Sequence, residues 1–593
     1  MKDIIRTRID RLRAEMIKAG VDAWYISGTD PHCSEYLPKR WETREYIAGF
    51  TGSYGLVVLT KSKAALWTDS RYFLQASEEL EGTGIDMMKL RVPDAVSPET
   101  WLCNTLPAGS RVGLDTQTVT VNDFLNLQKA LSEKGIELVE TPDLLEIVWD
   151  DRPQIPTDKV FELDLKYAGV SREQKQRNIA NGLAAVNADL HVVSMLDELA
   201  WLYNLRGSDI QYNPVFTAFA LVGNDENVLF VDHKKIDAAL KEKLEADGVL
   251  LKEYDAFYSY LSEIKGKKIF IDPSTMNYAA CNALADKNEI VRGTSILAIQ
   301  KAQKNSTELE GFRNAMKKDG AALVEFLYWA KEAIGKETIT DYYFGEKLAE
   351  FRAKQEGFKG ESFHPIVGYK SRGAIVHLHV GADDARPLEA DGVVLFDSGG
   401  QYIDGTTDIT RTIALGAVSD QFKTDFTLTL KGMIGLTQAK FPYGVKGCHL
   451  DILARQALWE HGMNYGHGTG HGVGHFLNVH EGPMAIRLEY NENLILPGQV
   501  LSNEPAFYRE GLYGLRTENM MVCVELETTE FGRFLGFDTL TLCPIDTSLI
   551  KVELLNEKER KWLNNYHERV NKELKPLLEP TLHIFLDELT AAI

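Results

Sequence analysis

The chain has 593 residues, 44% hydrophobic and 25% charged, the balance of a soluble globular protein. That length allows about two to four domains with ample core. A formal net charge of −21 disfavours nucleic acid or an anionic membrane as partner. The six cysteines (Cys33, Cys103, Cys281, Cys448, Cys523 and Cys543) lack Cys-x-x-Cys spacing. That suits free thiols in a reducing compartment, each a small buried hydrophobe.

In chain order, the first twenty residues mix both charge signs around a helical stripe of Ile5, Ile9, Leu12 and Met16. They read as a folded helix, not a secretory signal. No apolar run approaches the roughly 18 residues of a membrane span, so a cytoplasmic protein is expected. Residues 1–155 read as one α/β domain. It has a helix over 7–18 stopped by Gly20, strands at 23–26, 56–59, 63–67 and 112–114, and a helix over 71–80. Pro153 and Pro156 mark a linker.

Residues 156–304 repeat that order, with helices at 173–183, 197–203 and 236–244 and strands at 191–194, 217–222, 228–231 and 268–271. Arg111-Val112-Gly113-Leu114-Asp115 corresponds to Lys268-Ile269-Phe270-Ile271-Asp272, which predicts two domains of similar fold. A third domain spans 305–593. Thr307 with Glu310 fits a capping box opening a helix to about residue 334. A second helix covers 340–356. Short β-runs, many glycines and most of the histidines follow. A terminal helix carries Trp562, Tyr566 and Val570 as a packing stripe.

The densest chemistry begins at residues 397–412. An apolar run, 393–396, enters a turn-rich segment with Gly399, Gly400, Asp404 and Gly405, and a Thr-rich run leaves it. This predicts a β-hairpin. With a four-residue loop at 401–404, Asp397 falls opposite Asp408 on one face, and two opposed carboxylates repel. A cation between them removes the conflict. Downstream, His467, His471, His475 and His480 crowd a glycine-rich stretch. Glu504 precedes Pro505, and Glu518 lies fourteen positions further on. Asp397, Asp408, His471, Glu504 and Glu518 together suit two adjacent divalent cations. The oxygen-rich set points to manganese or a similar hard metal, and the histidine admits cobalt, zinc or iron.

The hairpin, the His467-Gly468-Thr469-Gly470-His471 run, Asn503-Glu504-Pro505 and Arg516-Thr517-Glu518-Asn519 resemble the pita-bread metallopeptidases. Within that group the chain resembles the long three-domain cytosolic form of aminopeptidase P, the Xaa-Pro aminopeptidases. Trp67-Thr68-Asp69-Ser70-Arg71, Leu205-Arg206-Gly207-Ser208-Asp209 and Trp562-Leu563-Asn564-Asn565-Tyr566 extend the match to nearly the whole chain. The resemblance implies an α/β (α+β) protein with two creatinase-like N-terminal domains before a pita-bread catalytic domain. It implies a homodimer, two Mn2+ ions per subunit, and peptide substrates with proline in second position. Asp408 and Glu518 would bridge the metals, Asp397 would complete one shell, and His471 and Glu504 the other.

By the same resemblance His480 donates to the developing oxyanion, and His467 and His377 position substrate and move protons. Glu504 accepts the water's proton. The family pattern Ala-x-x-His leads to His377, with His379 beside it. His475 stands where relatives carry a small residue. His475, His379, His449 and His461 read as structural. Arg516 either orients the ligand carboxylates or makes a surface ion pair. The alternatives are a prolidase restricted to Xaa-Pro dipeptides and a non-catalytic peptide-binding protein on the same fold.

Overall fold

The computed structural model describes residues 2–224 and 226–593. The chain forms two compact units, residues 1–164 with 170–298, and residues 165–169 with 299–593.

The first unit holds two six-stranded sheets built to one plan. In the first, the order is Asp86–Lys89, Ala64–Thr68, Leu56–Thr60, Ala23–Ile26, Arg111–Leu114, Glu137–Glu140. In the second, it is Leu250–Lys252, Asn227–Val231, Ala218–Gly223, Leu190–Val193, Lys268–Ile271, Glu289–Arg292. Each sheet's fourth strand pairs antiparallel on one side and parallel on the other. Arg111–Leu114 and Lys268–Ile271 take the same fifth place, as the internal sequence match predicts. Both faces of the first sheet are covered. Val57 and Leu59 join one core cluster while Val58 joins another, hence the unbroken apolar run.

In the second unit the helix Ser306–Ala333 packs on Asp341–Arg352, and Asp420–Thr437 packs on Gly447–Trp459. These helix pairs accompany a three-stranded sheet of Ile366–Tyr369, Val393–Ser398 and Ile409–Ala414. They also accompany a six-stranded sheet that contains Gly470–Gly472, Val500–Asn503 and Asn519–Thr529. Phe326, Phe344, Phe396, Phe426 and Leu515 are members of the main core cluster, which ties both helix pairs to the strands.

Four expectations change. The long helix is capped by Asn305, not Thr307. Asn305 Oδ1 accepts from the backbone N–H of Thr307 (2.9 Å) and Glu308 (3.0 Å), and Glu308 reaches back to the N–H of Asn305 (3.0 Å). The hairpin loop has two residues, Ile403 and Asp404, because Tyr402 pairs with Gly405 and Gln401 with Thr406. Asp397 therefore pairs with Thr410. Asp408 keeps to the same face as a diagonal neighbour, not the direct partner. All six cysteines are free, but Cys33, Cys103 and Cys448 are only half-buried. On the terminal helix Tyr566 and Val570 are buried, yet the Tyr566 hydroxyl hydrogen-bonds Arg411 instead of only packing.

Candidate metal centre

The five candidate ligands sit at the ends of strands that meet in the second unit. Asp397 is the penultimate residue of the strand Val393–Ser398, and Asp408 immediately precedes Ile409–Ala414. His471 is central in Gly470–Gly472, Glu504 follows Val500–Asn503, and Glu518 precedes Asn519–Thr529. The last two strands pair through Val500 with Val522 and Asn503 with Asn519. Glu504 N–H donates to Thr469 O (2.7 Å), and Glu518 N–H to Thr410 O (3.1 Å). Gly470 allows this closeness, since a Cβ there would lie 2.1 Å from Ser502 O.

Asp408, His471 and Glu518 offer donor atoms all within 4.8 Å of one another. His471 Nε2 lies 3.4 Å from Asp408 Oδ2 and 3.4 Å from Glu504 Oε1. The other imidazole nitrogen, Nδ1, is 2.8 Å from Gly472 O, which directs Nε2 at the carboxylates. Asp397 is buried, and its Oδ2 accepts from Arg516 Nη2 (2.6 Å). Its Oδ1 is buried without a hydrogen-bond partner among the described residues.

The electrostatics follow from crowding. Burial raises the Glu518 carboxyl well above the usual range, and Asp408, Glu504 and Asp397 push it further. Burial also raises Asp397, opposed by the Arg516 guanidinium and assisted by Asp408. Glu504 is pushed up to about 7 by burial, against the pull of His471. Burial pulls His471 down, but Asp408 and Glu504 outweigh it and carry the imidazole up to about 9. Four carboxylates facing one imidazole, one oxygen of them orphaned, fit divalent cations. They fit poorly with a protein core, where such charge is left uncompensated.

The proposed partners lie around this set. The His480 ring stands edge-on to His471, with centroids 4.4 Å apart. His467 Nε2 is 2.9 Å from the Tyr508 hydroxyl, which accepts from Arg516 Nη1 (2.6 Å). Arg516 also donates from Nε to Thr410 Oγ1 (3.0 Å), and Thr410 Oγ1 donates to Glu518 Oε2 (2.8 Å). Arg516 is thus a buried orienting group, not a surface ion pair. Tyr508, which sequence reasoning passed over, joins His467 to Arg516. Alternation along 506–516 could have found it, since Tyr508 and Arg516 share a face of that hairpin.

His377 is half-buried in the turn after Lys370–Ala374. His379 is exposed and stacks on His364 with centroids 4.0 Å apart. His475 is buried edge-on against Phe312. His449 and His461 are exposed.

Residues 8–148 match the family description "Creatinase/Prolidase N-terminal domain", and residues 151–308 match a second family with that description. Residues 310–525 match "Metallopeptidase family M24" and 533–593 its C-terminal region. The chain is 41% identical to a probable Xaa-Pro aminopeptidase P of Coprinopsis cinerea, covering 96% of this chain and 95% of that one. It is 38% identical to Xaa-Pro aminopeptidase 1 of Dictyostelium discoideum, covering 98% and 95%. Its structure superposes on the X-prolyl aminopeptidase of Caenorhabditis elegans, described as a cytosolic enzyme with a di-nuclear active site. The TM-score is 0.95 at 35% identity, over 99% of this chain and 100% of that one. These full-length relatives are aminopeptidases, which disfavours the dipeptidase and non-catalytic readings. With two creatinase-type domains ahead of a pita-bread catalytic domain, the chain belongs to metallopeptidase family M24, among its Xaa-Pro aminopeptidases.

Proposed function

We propose that the enzyme removes an N-terminal residue preceding proline, with two divalent cations held by Asp397, Asp408, His471, Glu504 and Glu518. By family resemblance, Asp408 and Glu518 would help to hold both. The observation that carries this is the convergence of the Asp408, His471 and Glu518 donor atoms within 4.8 Å. Manganese suits the oxygen-rich donors. The di-nuclear, cytosolic description of the nematode protein supports two ions and a cytoplasmic location. A homodimer rests on family resemblance.

Bound divalent cations supply Lewis acidity, polarising a carbonyl and making water nucleophilic near neutral pH. Glu504, which accepts from Ser502 Oγ (3.2 Å), takes the proton that water gives up. His480, beside His471, donates to the carbonyl oxygen as it gains charge. His467, oriented by Tyr508, and His377 hold the peptide and return a proton to the departing proline nitrogen. That nitrogen carries no N–H in the substrate, so no group of the site has to accept a bond from it.

The test is release of the first residue from a short Xaa-Pro-Xaa peptide before and after chelation and manganese add-back. Loss on chelation and recovery with manganese are expected. His471→Ala and Asp408→Ala should fold and be inactive. Near-normal turnover in either overturns the ligand set, and a fully loaded enzyme inert on Xaa-Pro peptides overturns the proline specificity.

A further inference from the structure

His480 is held on both sides by groups that the chemistry above does not use. Upstream, Phe476 has a φ of 47°, a left-handed backbone that bulky aromatic residues rarely adopt. Neighbouring contacts hold that turn. Gln401 Nε2 donates to Leu477 O (2.7 Å), Leu477 N–H donates to Thr406 Oγ1 (3.3 Å), and Gly474 N–H donates to Asn478 O (3.0 Å). The tip of the ligand hairpin thus grips the segment leading into His480.

Downstream, Glu481 is 3% exposed. It accepts from Lys301 Nζ at 2.6 Å and, through its other oxygen, from Lys304 Nζ. Both lysines are buried. Burial draws the Lys304 ammonium down, and Glu481 and Glu308 oppose it. Apolar residues of similar volume would hold a strand as well without desolvating three charges, so stability alone does not account for the triad. What the triad does fix is the position of Glu481, which pairs with Gly472 at a register shift next to His471. One residue back, His480 meets His471 at 82° between ring planes.

We propose that Glu481, clamped between Lys301 and Lys304, is a positioning residue that aims His480 at the substrate carbonyl. It sets kcat, not substrate affinity or metal loading. The inference rests on His480 being the donor to the carbonyl oxygen. His471 keeps an anchor outside the clamp, a backbone bond to Ser502 Oγ (3.0 Å), so metal binding is separable from it.

The experiment is a double-mutant cycle on the full chain, reading kcat, KM, bound metal per chain and melting temperature. Glu481→Gln is expected to lower kcat about ten-fold, with KM within about two-fold and metal content unchanged. In a His480→Ala background the same substitution should change kcat no further. Should Glu481→Gln fail to fold, Lys301→Met leaves Glu481 one ammonium. It should give a smaller fall that likewise vanishes without His480. Full kcat in the clamp variants, or an equal fall in both backgrounds, overturns the clamp while the role of His480 stands. Normal kcat in His480→Ala overturns the role of His480, and the clamp with it.

Discussion

The Tyr566 hydroxyl accepts a hydrogen bond from Arg411 Nη2 at 3.0 Å, and Arg411 Nη1 donates to the backbone oxygen of Glu518 at 2.6 Å. The helix Glu557–Leu574 therefore reaches a ligand strand through one buried guanidinium. Tyr566→Phe keeps the ring, which stacks on Trp562 at 5.2 Å, and removes only the hydroxyl. It should lower stability by about 1–2 kcal/mol, since buried partners lose a hydrogen bond. It should also loosen metal binding several-fold while KM for loaded enzyme stays put. Thermal melts and metal titration of the apoprotein check both.

Arg516 and Tyr508 act on the centre from the other side. Arg516→Met leaves the buried Asp397 carboxylate without its cation, in the apoprotein most of all. Apoprotein stability should fall by about 3–5 kcal/mol, and added manganese should restore much of it. Tyr508→Phe keeps Asp397 paired but removes the hydroxyl that meets Arg516 Nη1 and His467 Nε2. It should cost about 1–2 kcal/mol, less than Arg516→Met, and lower kcat. Urea unfolding with and without metal separates the two variants.

How much of this was legible in the sequence depends on range. The twin sheets were readable because each rests on local runs such as 112–114 and 268–271, whose internal match gave their shared place. The hairpin was readable, but its register slipped by two. The expected loop at 401–404 takes in Gln401 and Tyr402, which instead pair with Thr406 and Gly405 as the end of the outgoing strand. Parity survived that slip, so Asp397 and Asp408 still fell on one face. The Asn305 cap lost to Thr307 because both precede an acidic residue by three positions, and only backbone geometry decides between them. Arg411, Tyr508 and Glu481 carry no motif. Their partners lie 155, 41 and 180 positions away, and tertiary packing alone brings them together.

His567 gives a pH dependence separate from the metal centre. It is fully buried, and its Nε2 accepts from the Ile545 N–H at 3.1 Å. Burial, with a smaller push from Arg411, lowers its pKa from the usual 6.5 to about 4. Between those values the unfolded chain binds the proton and the folded chain does not. The stability contribution is therefore present above pH 6.5 and is lost as pH falls toward 4. The wild type should lose on the order of 2 kcal/mol more than His567→Gln between pH 7.5 and pH 4.5. Urea midpoints of both proteins at the two pH values test the sign, and an equal slope would refute it.

Gly399 lies where the ligand hairpin is tightest. A Cβ there would sit 1.9 Å from the Thr407 backbone oxygen and 2.1 Å from Ser362 Oγ. The backbone oxygen cannot rotate away as a side chain would, and Ser362 Oγ is itself bonded to Thr407 O at 2.8 Å. Gly399→Ala must therefore displace Thr407, and with it Asp408 one residue on and Asp397 two residues back. The cost falls on both arms of the centre at once, so repacking elsewhere cannot absorb it. Overpacking of this kind costs about 1–3 kcal/mol in stability. Metal affinity should fall more than ten-fold, because ligand spacing sets it. Gly381→Ala, with nothing within 4 Å of its Cβ, is the matched control and should behave as wild type. Equal metal titration curves for the two variants would mean that the hairpin's close approach does not set the ligand geometry.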